Sequence, residues 1–94
     1  MFIGVLTLDL HIPEASSLKE KRSVVKGLKD RMISRFKVAA AEVGDTADKW
    51  QLATIGVACV SSEKAHAVDV LNKVAEMVRS NTSVELLDYS IEVL

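Results

Sequence analysis

Two hydrophobic repeats, one of period two and one of period 3.6, alternate along this chain, and their order leaves few folds open. Residues 2–10 place Phe2, Gly4, Leu6, Leu8 and Leu10 on one side and Ile3, Val5, Thr7 and Asp9 on the other. That is the pattern of a strand buried on one face. A loop from His11 to Ser16 follows and holds the only proline, Pro13. Ser17-Leu18-Lys19-Glu20 then has the form of a capping box: the Ser17 hydroxyl accepts from the Glu20 amide while the Glu20 carboxylate reaches back. A helix is expected from Leu18 to Phe36. Leu18, Val25, Leu28, Met32 and Phe36 fall within an arc of ~80° on it, a stripe to bury.

Beyond the helix, residues 37–43 read as either helix or strand: the alanines favour helix, the valine spacing and the turn at 44–49 favour a strand. Gln51 to Val60 reads as a further strand with Ala53, Ile55, Val57 and Cys59 inward. Ser61 or Ser62 is positioned to cap a second helix ending near Arg79, with Val68, Leu71, Ala75 and Val78 as its stripe. Asn81-Thr82-Ser83 is a turn, and residues 84–93 form the last strand, in which Leu87, Tyr89, Ile91 and Val93 alternate with polar residues. The order β-α-β-β-α-β, with right-handed crossovers, puts both helices on one face of a four-stranded antiparallel sheet. The expectation is an α+β, ferredoxin-like sandwich with the first and third strands in the centre. The 94 residues make one domain, 1–94.

Charge is divided unevenly over that frame. Eight of the twelve basic side chains lie between Lys19 and Lys37, opposed there only by Glu20 and Asp30, so the segment carries +6 and the remainder −7. Such asymmetry points to an anionic partner on one face. Lys19, Arg22, Lys26 and Lys29 share an arc of ~80° on one flank of the apolar stripe. Arg31 and Arg35 lie on the other flank. Lys21 falls inside the apolar arc, where it either joins the anion site or reaches inward to Glu42 or Asp9 as a structural ion pair. Lys19, Lys21 and Arg22 crowd the first turn and a half, where the helix dipole already presents positive charge, at a cost of about 0.3–1 kcal/mol per cation. A helix start carrying three cations suits phosphate. Gly27 interrupts the helix on the side away from the stripe, which also permits close approach of a partner.

The run Ser17-Leu18-Lys19-Glu20-Lys21-Arg22 resembles the hallmark of the YlxP-like proteins, a small bacterial family catalogued as a domain of unknown function. The opening Phe2-Ile3-Gly4-Val5, the stretch Leu10-His11-Ile12-Pro13, and Ala41-Glu42-Val43 followed by Trp50-Gln51 and Gly56-Val57-Ala58 are similar to the same pattern, which spans the whole chain. The resemblance implies a compact ferredoxin-like domain often encoded among genes for translation factors and ribosome maturation. It therefore implies RNA or ribosome work, and brings no catalytic residues to transfer.

Nothing in the chain marks an enzyme. There is no glycine-rich phosphate loop and no nucleophile elbow. His11 and His66 have no ligand at metal spacing, and Cys59 reads as a small core residue. No metal and no cofactor are expected. No apolar run approaches the ~18 residues of a membrane helix, and the N-terminal stretch does not read as a signal peptide. With one cysteine, a cytoplasmic protein without an internal disulfide is expected. The leading expectation is a non-enzymatic binding protein that engages ribosomal RNA or the ribosome through Lys19, Lys21, Arg22, Lys26 and Lys29. The alternative is a homodimer or adaptor using the aliphatic outer sheet face, at Ile3, Val5, Thr7, Leu52, Thr54, Gly56 and Ala58. That face lacks the aromatics on which sheet-type RNA binders stack bases. Trp50, beside a strand, is expected over the edge of the core or as a partner anchor.

Overall fold

The computed structural model describes residues 1–94 as β1 (Phe2–His11), α1 (Leu18–Phe36), β2 (Ala39–Val43), β3 (Leu52–Ser61), α2 (Lys64–Arg79) and β4 (Glu85–Val93). The strands form one antiparallel sheet in the order β2-β3-β1-β4. Both helices lie on one face of it, so the arrangement is the expected ferredoxin-like α+β sandwich, with β1 and β3 central.

The period-two pattern of β1 does most of the organising. β1 and β3 pair in unbroken register from Phe2↔Ser61 to His11↔Leu52. Residues directly opposite in a ladder point to the same face, so Leu6 with Val57, Leu8 with Ile55 and Leu10 with Ala53 form a continuous apolar floor, each residue at most 1% exposed. Val25, Leu28 and Met32 of α1, and Leu71, Val74, Ala75 and Val78 of α2, close over it. Gly4 completes the floor beneath α2: a Cβ there would come within 2.9 Å of Leu71 Cδ1, 3.2 Å of Cys59 Sγ and 3.3 Å of Ala67 Cβ. The absence of a side chain at this position is what lets helix and strand approach.

The ambiguous residues 37–43 resolve as a strand. Pairing Ala39↔Ala58 through Val43↔Thr54 satisfies their backbone groups, and Gly44, at φ +78°, turns the chain towards β3. α1 stops before them because Lys37 takes a left-handed conformation and its N–H donates to the Ile33 carbonyl.

Four local expectations need correction. Neither Ser61 nor Ser62 caps α2. Ser61 is still paired with Phe2 in the ladder, its hydroxyl accepts from the Glu63 amide at 3.0 Å, and Glu63 stands at the N-cap without a side-chain bond. The buried stripe of α2 is Ala67, Leu71, Val74, Ala75 and Val78, so Val68 lies at its margin, half-buried. In β4 the register against β1 shifts between Asp9 and Leu10, so that Leu10 pairs with Leu86 and Asp9 with Asp88. Leu87 is the extra residue of this bulge; it is 52% exposed and lines a surface depression with Asp9, Thr54 and Asp88, while Leu86 packs on the core. Trp50 does not cover the core edge; it is 54% exposed.

Candidate nucleic-acid interface

The first turn of α1 is built as the capping sequence requires, with one variation. The Glu20 amide donates to the Ser17 hydroxyl at 3.1 Å. The Glu20 carboxylate returns not to Ser17 but to Ser16, accepting from its amide at 3.1 Å and its hydroxyl at 2.8 Å. The backbone bond from Ser16, then the hydroxyl bond, hold the Glu20 carboxyl below its ordinary value of 4.5. A carboxylate is thus fixed at the helix start, where it offsets the crowded cations.

Lys21 separates from the other basic residues. It is completely buried. Its ammonium lies 2.7 Å from Glu42 Oε2 and also donates to the Thr46 carbonyl. Thr46 in turn donates its hydroxyl to Glu42 at 3.3 Å and accepts from the Thr54 amide at 3.0 Å. The network ties the first turn of α1 to the β2–β3 connection. Of the two partners open to Lys21, Glu42 is the one within reach because β2 presents it on the helix-covered face, opposite Ile55. Asp9 lies on the outer face, opposite Thr54, whose hydroxyl it accepts at 3.0 Å. Lys21 therefore leaves the expected anion-binding set: its three donors are turned inward, away from any ligand on the surface.

Arg22, Lys26 and Lys29 do come together. With Val25, Asp30, Ile33, Ala40 and Glu42 they line an open groove of about 400 Å³ between α1 and the edge strand β2. The i, i+4, i+7 spacing puts the three cations on one helix face, and that face borders Ala40 and Glu42 of β2. Both carboxylates of the groove are engaged: Glu42 by Lys21 and Asp30 by Lys26, at 2.8 Å. The Asp30 hydrogen bond, with its charge, raises the Lys26 ammonium above its ordinary value. Counting Lys21, four cations face two carboxylates, so the groove keeps a net positive charge. Lys19 is exposed at the start of the same flank but is not part of the groove lining. Gly27 has nothing within 4 Å of the position a Cβ would take, so the packing does not require it.

The remaining candidates stand apart. His11 Nδ1 is 3.9 Å from Glu85 and His66 is exposed on α2. Half-buried Cys59 points its thiol towards the Ala67 carbonyl at 3.9 Å. The outer sheet face is uncovered: Val5, Ala39, Ala41, Val43, Gly56 and Ala58 line a shallow apolar surface there. No helix is long and apolar enough to cross a membrane.

Comparison with known proteins places the chain in a family. The family model described as "Protein of unknown function (DUF503)" matches residues 3–91. The chain belongs to the DUF503 family. A relative, "Uncharacterized protein YlxP" of Bacillus subtilis (strain 168), is 35% identical over 83 residues, covering 88% of this chain and 89% of that protein. Among solved structures, the "De novo designed protein Foldit4" is similar at a TM-score of 0.57 and 7% identity, over 100% of this chain and 97% of that one. At that identity the likeness extends to the fold alone. A shared backbone plan does not carry function, which for this DUF503 chain has to be argued from the side chains.

Proposed function

We propose that this protein is a non-enzymatic binding protein that holds RNA, such as ribosomal RNA, by its phosphates along the exposed flank of α1. Arg22, Lys26 and Lys29 make the contacts in the groove and Lys19 extends them towards the helix start. The observation that carries this reading is the groove itself, where three cations converge while each nearby carboxylate already has a cationic partner. Contacts of this kind give affinity and little sequence choice, because they read the backbone and not the bases. The aromatic-free sheet face accords with binding by the helix side. Binding to ribosomal RNA, compared between wild type and a Lys19→Glu/Arg22→Glu/Lys26→Glu variant, tests the proposal. The variant is expected to bind on the order of a hundredfold more weakly at low salt. Equal affinity would overturn the reading.

A second reading rests on the uncovered apolar surface at Val5, Ala39, Ala41, Val43, Gly56 and Ala58, next to exposed Val60. A homodimer through this face would bury it. Light scattering after size exclusion, with Val5→Lys as the disrupting variant, decides it: a wild-type monomer at high concentration refutes the dimer.

A further inference from the structure

A second basic cleft lies at the other end of α1, and the RNA reading makes no use of it. It is formed where the end of α1, the end of β3 and the first half of α2 meet. Arg35, Phe36, Lys37, Cys59, Val60, His66, Val70 and Lys73 line it. Its volume, about 460 Å³, is within the range of small-molecule sites. Two properties set it apart from an ordinary solvated surface. Its lining holds three cations and a histidine and no carboxylate. Its polar groups also come from both helices and lie beside apolar Phe36 and Val70, so charge and apolar surface sit side by side.

Lys37 adds an independent observation. It caps α1 at φ 58°, ψ 43°, the left-handed region in which glycine is the usual occupant. A Cβ-bearing residue in that conformation costs stability. The chain keeps a lysine where backbone geometry asks for glycine, and the lysine lines the cleft. Backbone strain of this kind clusters where a side chain is needed. The other cations have donors to spare. Lys73 is ion-paired with Asp69 at 3.1 Å and makes no other polar contact. The Arg35 guanidinium lies over the Phe36 ring, 5.2 Å from its centroid, and no carboxylate or carbonyl engages its N–H groups. The carboxylates nearest the cleft on α2 are occupied: Asp69 by Lys73 and Glu76 by Arg79, at 2.9 Å.

We propose that this cleft binds a nucleotide phosphate, with Arg35, Lys37 and Lys73 holding the phosphate oxygens and Phe36 and Val70 taking the base or sugar. The chemistry is shared by a free mononucleotide and by an exposed nucleotide of an RNA strand. Cys59, the only cysteine, lines the cleft and reports on occupancy through its alkylation rate. The assay uses the full chain with adenosine 5′-monophosphate, uridine 5′-monophosphate, unphosphorylated adenosine and a 5′-phosphorylated oligouridine as probes. Phosphorylated probes are expected to slow alkylation and adenosine to leave it unchanged. Protection by the mononucleotides assigns a free nucleotide; protection by the oligonucleotide alone assigns an RNA nucleotide. Lys37→Gly is the decisive variant, because it removes a cation while giving the backbone the residue it prefers. It is expected to raise the melting temperature and weaken protection roughly tenfold, a split that a purely structural lysine would not produce. No protection of the wild type by any phosphorylated probe at millimolar concentration, or undiminished protection in Lys37→Gly, would overturn the inference. Either result leaves the α1–β2 groove proposal to be judged on its own test.

Discussion

The buried Lys21–Glu42 pair should behave asymmetrically when its two halves are removed. Lys21→Met keeps the aliphatic volume and deletes only the ammonium. It strands the Thr46 carbonyl and the Glu42 carboxylate, but the Glu42 side chain is 20% exposed and keeps the Thr46 hydroxyl as a donor. Water can repair part of the loss, so the cost should be about 2 kcal/mol. Glu42→Leu instead leaves an ammonium with no exposed surface and only one carbonyl partner. That is an uncompensated buried charge, worth about 3–5 kcal/mol. Lys21→Met/Glu42→Leu replaces the pair by apolar groups and should lie within about 1–2 kcal/mol of wild type. The expected interaction energy in the cycle is therefore large, about 2 kcal/mol or more, and favours the double variant over the sum of the singles. Urea unfolding at neutral pH, read by circular dichroism, measures all four species. At about 4–8 °C per kcal/mol for a domain of this size, thermal melts should rank them in the same order. A double variant as unstable as the two single losses added together would refute the reasoning, as would Glu42→Leu proving milder than Lys21→Met.

Other outcomes follow from particular contacts. Gly4→Ala should destabilise by about 1–3 kcal/mol in chemical denaturation, because its Cβ would press on Leu71, Cys59 and Ala67, and Leu71 and Ala67 are fully buried. Gly27→Ala should do the reverse, raising stability by about 1 kcal/mol, since the added methyl meets open space on a helix. The Glu20 carboxyl is held below its ordinary 4.5 in the folded state, so its contribution is complete above that pH and lost as pH falls through the folded value. The stability difference between wild type and Glu20→Gln should accordingly shrink on acidification below about pH 4.5, measured from denaturation midpoints.

The fold was legible because its strongest signals are local. The Ser17 capping box fixes where α1 begins, and the alternation of Leu6, Leu8 and Leu10 fixes which face of β1 is buried. Lys21 was recognisable as a cation inside an apolar arc. Its partner was not, because choosing Glu42 over Asp9 requires knowing that residues 39–43 form a strand and which face of it carries Glu42. The inward turn of Leu86 was hidden for a different reason: a bulge breaks the very period from which strands are read. Of the five expected anion-binding residues, the shared flank of Lys19, Arg22, Lys26 and Lys29 could be read from helical spacing. The groove could not, since it depends on how α1 is rotated over β2. The cleft at Lys37 gave no sequence signal, because its residues come from three elements and its strained conformation carries none of the glycine that usually marks it.

The most direct test of the central claim is the salt dependence of RNA affinity. With Lys19, Arg22, Lys26 and Lys29 each neutralising one phosphate of a single strand, the logarithm of the association constant should fall against the logarithm of salt concentration with a slope of about −3. Lys19→Gln/Arg22→Gln should reduce the slope to about −1.5. Lys21→Met should leave it unchanged, because that ammonium is buried against Glu42. A wild-type slope near zero, or one that the Lys19→Gln/Arg22→Gln variant fails to reduce, would contradict binding through the α1 flank.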